Sequence, residues 1–138
     1  MGGVLKAARE DSRGANLVEF ALVAVLLLII LAGVVDIGRL FHSWIIVTNA
    51  SREGARYASR HPALADLIRQ AAILEAAGSD VDLYAENVTI IGLNGASGSP
   101  IRVKVDYRYD TMMGNMINAG AGITLTGTTE MIVFGSED

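Results

Sequence analysis

The chain lacks cysteine altogether, which excludes disulfide bonds, thiolate nucleophiles and cysteine-based metal sites. It has only two histidines, His42 and His61, and neither has the companion pattern that a metal site or a nucleophilic site needs. A basic excess is also missing, since 11 Lys and Arg residues face 15 Asp and Glu residues. The net charge of −4 argues against a nucleic-acid-binding protein. Without a catalytic constellation, the sequence indicates a protein that is not an enzyme and that needs no cofactor or metal.

Proline is scarce as well, and the first of the two prolines is Pro62. The preceding part of the chain therefore contains no residue that breaks a helix by lacking a backbone N–H. Residues 20–35 are uncharged and almost wholly apolar. Together with residues 15–19 they give a helix of about 32 Å, which matches a hydrocarbon core of about 30 Å. The sequence predicts a transmembrane helix over residues 15–36, and it thereby makes the lipid bilayer a partner.

We expect the same helix to continue as an amphipathic segment over residues 37–60, because Pro62 disfavours helical geometry in the residue before it. Apolar side chains recur at helical spacing along this segment. They are Leu40, Phe41, Trp44, Ile45 and Thr48. Aromatic rings of this kind fit either the membrane surface or the underside of a C-terminal domain, and the sequence leaves both interpretations open.

A single carboxylate, Glu19, stands directly before Phe20 and the apolar run. Gly14 lies five residues earlier, at the end of a short charged segment, residues 1–14. This spacing resembles the processing site of type IV pilin-like proteins, in which a membrane peptidase cuts after the glycine. The resemblance implies a leader peptide over residues 1–14 and a mature chain that starts at Ala15. An ordinary secretory signal is the alternative, but no strong Ala-x-Ala site follows the apolar run.

An ionised side chain at membrane depth costs roughly 2.5–3.5 kcal/mol on insertion scales, so Glu19 needs either water or a partner. The simpler interpretation places Glu19 at the membrane edge, where it reaches water. The alternative is that the ammonium group freed at Ala15 of one subunit pairs with Glu19 of the next. Such a pair, beside Phe20, would set the register between subunits during assembly.

Further charges lie along the predicted helix. Asp36 and Arg39 are three residues apart and can form a local pair. Arg52, Arg56 and Arg60 recur every four residues near the helix end, where the helix dipole favours cations. The ordinary interpretation is that these arginines form a solvent-exposed face. The more specific alternative is that they contact acidic groups of a neighbouring subunit. The candidate subunit contacts are Asp36, Arg39, Arg52, Glu53 and Arg56.

The remaining residues, 61–138, predict a small α+β head. Residues 63–77 form a second helix in this prediction, with Leu64, Leu67, Ile68, Ala71, Ala72 and Leu74 as its apolar face and Gly78 as its stop. Three antiparallel strands follow, over residues 87–91, 101–110 and 123–134, and residues 111–122 form a loop or short helix between the last two. The middle strand alternates strictly between apolar and charged residues, which is typical of a strand with one buried and one wet face.

Two loops of the head are candidates for ligand binding. Asp80, Asp82 and Glu86 supply oxygen ligands, but they lack the spacing of a calcium-binding loop. Residues 92–99 are rich in Gly and Ser, yet they lack the Lys-Ser/Thr ending of a phosphate-binding loop and join two strands. We therefore expect a solvated loop and a hairpin turn.

Three segments taken together, residues 13–22, 36–39 and 48–58, resemble the TadE-like family of pilin-like (pseudopilin) proteins from tight-adherence (Tad) pilus systems. The last of them, Thr-Asn-Ala-Ser-Arg-Glu-Gly-Ala-Arg-Tyr-Ala, is the most specific, because helical periodicity alone would not select it. The strong resemblance covers roughly residues 13–60, and residues 103–107 resemble the C-terminal strands of the family less specifically.

The resemblance implies a filament subunit. In such families a prepilin peptidase removes the leader, and an inner-membrane assembly platform with its ATPase draws the mature protein into a thin filament. The filament contains further copies or other pilins and serves adhesion, biofilm formation or related secretion. A single-pass inner-membrane location before assembly and a cell-surface location afterwards are expected, and the size of the head is typical of a minor subunit. The alternative is a permanently membrane-anchored scaffold or binding protein of the secretion envelope.

Overall fold

A single long helix, α1, opens the chain. The computed structural model describes residues 2–112, 114 and 122–134, with side chains from Gly14 onward. It divides into two compact units, Met1–Ile37 and Gly38–Asp138. Helix α1 spans Gly2–Ala58, so the predicted long helix is present and also includes residues 2–14. Nothing in those residues breaks a helix, since none is proline and an interior glycine costs only about 1 kcal/mol relative to alanine.

The head contains the second helix and the three strands that the sequence predicts. Helix α2 spans Ala65–Ala76 and is followed by Gly78, whose φ of +82° is the left-handed conformation that glycine adopts most readily. Strands β1 (Val88–Ile91), β2 (Pro100–Asp110) and β3 (Gly122–Ile132) form an antiparallel sheet in the order β1-β2-β3. The predicted α+β architecture is confirmed.

A hairpin joins β1 to β2, as the Gly/Ser-rich segment predicted. Ile91 pairs with Arg102, and Gly92 has a φ of +91°. A Cβ atom on Gly92 would lie 2.5 Å from the carbonyl oxygen of Pro100, so the turn requires glycine here. A short 3-10 turn (Ala85–Asn87) precedes β1. The predicted loop or short helix over residues 111–122 lies mostly outside the described residues.

The core of the head lies between the sheet and the two helices. Ile101, Val103, Val105 and Tyr109 of β2 are buried, which confirms the face predicted from the alternation. On β3, burial begins at Leu125, whereas Ile123 near the start of the strand is exposed.

The predicted apolar face of α2 is only partly correct. Ile68, Ala72 and Ala76 are its buried residues, spaced four apart along one line of the helix. Leu64, Leu67 and Leu74 of the predicted face are exposed. Alanine side chains allow α2 to approach its neighbours closely, and the leucines therefore lie outside the contact.

The outer face of the sheet is polar. Arg102 of β2 pairs with Glu130 of β3 at 2.6 Å, and Lys104 pairs with Asp106 at 2.7 Å. Partial burial by itself raises the pKa of Asp106, but hydrogen bonds from Lys104 and Thr126 together with the Lys104 charge outweigh it and lower the pKa. These charged pairs lie on the solvent-exposed face of the sheet, as the alternation in the middle strand predicted.

Candidate assembly and membrane surfaces of helix α1

The first candidate surface is the apolar run of α1. From Gly14 onward α1 is long and apolar enough to cross a membrane, and only 6% of its most apolar 18-residue window is buried. Every large apolar side chain from Leu17 to Ile37 is exposed. The core helix of a soluble protein would bury these side chains, whereas lipid accepts them. The helix is therefore compatible with a membrane anchor.

The residues of the predicted processing site lie at the start of this exposed run. Gly14, Ala15, Glu19 and Phe20 are all exposed on α1. A Cβ atom on Gly14 would meet nothing within 4 Å. Glu19 forms no ion pair with any side chain that the structure describes. Cleavage after Gly14 and a register role for Glu19 and Phe20 stay predictions.

A second surface of α1 is built from small residues and faces the head. Within Gly38–Ala58 its buried positions are Ser43, Val47, Ala50, Ser51, Gly54, Ala55 and Ala58. A Cβ atom on Gly54 would lie 3.1 Å from Cγ1 of Val103 and 3.2 Å from Cβ of Ala72. A Cβ atom on Gly127 of β3 would lie 2.6 Å from the carbonyl oxygen of Val47. Small side chains thus let α1 approach β2, β3 and α2 closely.

A side-chain hydrogen bond joins α1 to β3. The buried hydroxyl of Ser51 donates to the Thr48 carbonyl oxygen at 2.8 Å and accepts from Oγ1 of Thr129 at 2.8 Å. Sequence reasoning attached no structural role to this small-residue surface. The signal was present, since Ala50, Ser51, Gly54, Ala55 and Ala58 recur at the spacing of one helix face.

The candidate contacts near the end of α1 engage partners on their own helix. Arg56 donates from Nε to Oε2 of Glu53 at 2.8 Å and from its second nitrogen to Oε1. This hydrogen bond, outweighing partial burial, lowers the pKa of Glu53, and it raises the pKa of Arg56. Arg52 donates to Asn49 at 3.5 Å. Exposed pairs of this kind contribute only about 0–1 kcal/mol, so these side chains can exchange partners at low cost.

The two charged candidates nearest the membrane span differ in exposure. Asp36 is only 8% exposed, whereas Arg39 is exposed. Their predicted local pairing, and their contacts with a neighbouring subunit, stay predictions. Because Asp36 is buried, the acid that ends the uncharged run adds no charge to the exposed side of α1.

The structure tests one of the two interpretations of the aromatic stripe. Phe41, Trp44 and Ile45 are 57%, 47% and 51% exposed. The interpretation that they pack beneath the C-terminal domain is wrong. The reason is that α1 turns its small residues, centred on Ala50 and Gly54, towards the sheet, and this leaves the bulky side chains on the opposite side.

The two head loops considered as ligand sites are described by the structure. Among the residues that the structure describes, no three His, Asp or Glu side chains are grouped to hold a metal ion. Asp80, Asp82 and Glu86 are exposed. Burial raises the pKa of Tyr107, and the nearby charges of Asp82 and Asp110 act in the same direction.

Residues 14–56 match the family model described as TadE-like protein. Neither the curated proteins nor the solved structures gave a match to this chain. The matched range contains the predicted processing site, the apolar run and most of the small-residue surface. The TadE-like family comprises structural proteins related to pili. The match covers residues 14–56, less than half of the chain, and over this range the chain is similar to the TadE-like family, consistent with a pilin-like protein associated with Tad pilus systems.

Proposed function

We propose that this protein is a pilin-like subunit that a prepilin peptidase cuts between Gly14 and Ala15. The mature chain leaves the inner membrane through the assembly platform and its ATPase, and it joins or primes a Tad-type filament at the cell surface. The observation that carries the proposal is an exposed apolar helix face, ready to exchange lipid for other helices, with the carboxylate of Glu19 at its beginning.

Gly14 supports processing, because the fold gives no reason for a glycine there. A side chain at this position would meet nothing within 4 Å, and Gly14 is not among the residues with positive φ. An interior glycine weakens a helix by about 1 kcal/mol relative to alanine. A requirement imposed by a peptidase accounts for a residue that the helix itself disfavours.

The position of Glu19 supports assembly. Lipid and a bundle of helices are both apolar, so transfer of α1 between them is nearly balanced, and a specific pair then decides the register. Cleavage after Gly14 would create an ammonium group at Ala15, four residues from Glu19. In a packed array this cation can meet the Glu19 carboxylate of the adjacent subunit, where a charge pair costs far less than an isolated buried charge.

The mature N-terminus tests processing. Mass spectrometry of the protein purified from cells that carry the Tad system should give a chain that starts at Ala15. Gly14→Leu should keep the full-length chain. Gly38→Leu is the matched control, because Gly38 lies in the same helix with equally open surroundings, and this variant should be cut normally.

A wild-type chain that retains Met1, or that starts after the apolar run, would contradict the proposal. Retention of Met1 together with absence from sheared surface filaments would favour the permanently anchored scaffold. Normal cleavage of Gly14→Leu would show that processing does not depend on Gly14.

A further inference from the structure

Phe41, Trp44 and Ile45 form an exposed apolar patch on the part of α1 that belongs to the head unit. We call these three residues the aromatic patch. On a helical wheel they lie on one side, and the buried residues Val47 and Gly54 lie on the other. Among the described residues, none of the three side chains belongs to the buried core, and the hydrogen bond from Thr48 Oγ1 to Trp44 at 2.8 Å reaches only the backbone carbonyl oxygen.

The uncharged run of α1 is too short to cross a membrane by itself. Residues 20–35 extend about 24 Å as a helix, whereas the hydrocarbon core is about 30 Å thick. With Glu19 at one edge of the core, the roughly 20 residues needed to cross it place the other edge near Arg39. The aromatic patch then begins about 3 Å beyond that edge and ends about 9 Å beyond it.

Most of this range lies within the headgroup layer, which adds roughly 5–8 Å to each side of the core. The average helix tilt of about 20° shortens the distance further. Asp36, which would fall inside the core in this register, is only 8% exposed and so does not face lipid. Arg39 is exposed at the edge, where its long side chain can reach the headgroups.

The exposed side of α1 changes character just after the patch. Val34, Ile37, Phe41 and Ile45 follow one another on this side and are exposed, and two turns later it carries the exposed Arg52. A change from apolar to basic along one helix face marks a boundary between lipid and water. A tryptophan near this boundary is typical of a membrane interface.

We propose that the aromatic patch is a membrane-docking surface, with Phe41, Trp44 and Ile45 seated in the lipid headgroup layer. The occupant is the bilayer surface that continues from the span of the same helix. The inference rests on the membrane anchor and not on cleavage or filament assembly. It also assigns the bulky side chains a function before assembly, because the hydrophobic patch would otherwise lie in water.

Trp44 is the only tryptophan of the chain, so its fluorescence reports on the patch directly. The full-length chain is reconstituted in phosphatidylcholine–phosphatidylglycerol vesicles whose acyl chains carry bromine either near the glycerol or near the methyl end. We expect stronger quenching by the shallow bromine than by the deep one, and several-fold weaker quenching by aqueous acrylamide than in the control. The control, Trp44→Phe with Arg52→Trp, reports from the same helix side two turns further on.

The tryptophan of the control should emit at longer wavelength than Trp44 and should be quenched by acrylamide. The brominated lipids should not quench it. Equal acrylamide quenching in the wild type and the control would overturn the proposal, since the patch would then lie in water. Protection of Trp44 from both acrylamide and brominated lipid would also overturn it, because a second copy of the chain would then cover the patch. Because uncut chains in vesicles suffice, failure of processing or assembly leaves the result unaffected.

Discussion

Glycine residues of this protein serve different purposes, and their surroundings distinguish them. Gly127 lies where β3 crosses α1, and a Cβ atom there would approach the Val47 carbonyl oxygen and carbon and the Thr48 Cα within 3.0 Å. These are backbone atoms, which cannot move aside independently. Gly38 of α1 has no atom within 4 Å of the same point. Packing therefore requires glycine at position 127 but not at position 38.

Gly127→Ala should therefore destabilise the head by about 1–3 kcal/mol, the usual cost of overpacking, or by more because backbone must shift. Gly38→Ala, the matched control, should leave stability unchanged or raise it by up to about 1 kcal/mol, because alanine favours the helix. Denaturant unfolding of the full chain in detergent, followed by near-ultraviolet circular dichroism, measures both. Equal stability of Gly127→Ala and the wild type would contradict the close approach of α1 and β3.

At the scale of elements, small residues decide how α1 and α2 pack. Both helices bury alanines, such as Ala50 and Ala72, and expose leucine or aromatic side chains. The close approach places the Ser51 hydroxyl within reach of Thr129 on β3.

The Ser51–Thr129 hydrogen bond can be tested by a double-mutant cycle. Ser51→Ala and Thr129→Val should each lower the free energy of unfolding by about 0.5–1.5 kcal/mol. The double variant should lose less than the sum, because either substitution alone already breaks the bond. Thr129→Ser, which keeps the hydroxyl, is the control. Its effect on the free energy of unfolding, combined with that of Ser51→Ala, should depart less from additivity. Strict additivity of the two substitutions in the unfolding free energy would show that the bond contributes nothing.

At the scale of the whole molecule, one helix belongs to two compact units whose surfaces differ. The unit Met1–Ile37 exposes an apolar surface, and the unit Gly38–Asp138 has a core of its own. Under the proposed function, the head can stay folded while the surroundings of the N-terminal helix change from lipid to protein. This separation is what the proposed assembly requires.

Glu19→Ala should insert into the membrane at least as well as the wild type, because it removes a charge that lies next to the apolar run. It should be poorly incorporated into filaments, because the Ala15 ammonium of the neighbouring subunit loses its partner. Quantitative blots of membrane and sheared-filament fractions measure both effects. Glu75→Ala, which removes an exposed acid of α2, should behave as the wild type. Normal incorporation of Glu19→Ala would refute the pairing role.

Local chemistry along the chain determined the elements of this protein. The absence of proline before Pro62 allowed one long helix, Gly78 ended α2, and the alternation in β2 placed Ile101, Val103 and Val105 in the core. These features depend on backbone geometry and residue period, which a sequence displays directly. The exposed apolar run of α1 follows from composition in the same way.

Only the tertiary structure decided which side of α1 faces the head. The size and hydrophobicity of the aromatic side chains allowed their burial against the head. In the structure, however, the side with Ala50, Ser51 and Gly54 faces the head. The physical reason is that burial depends on how closely two surfaces can approach, which β3 sets through Gly127 and which no single segment encodes. Phe41, Trp44 and Ile45 are left outside because the backbones of α1 and β3 meet too closely for large side chains between them.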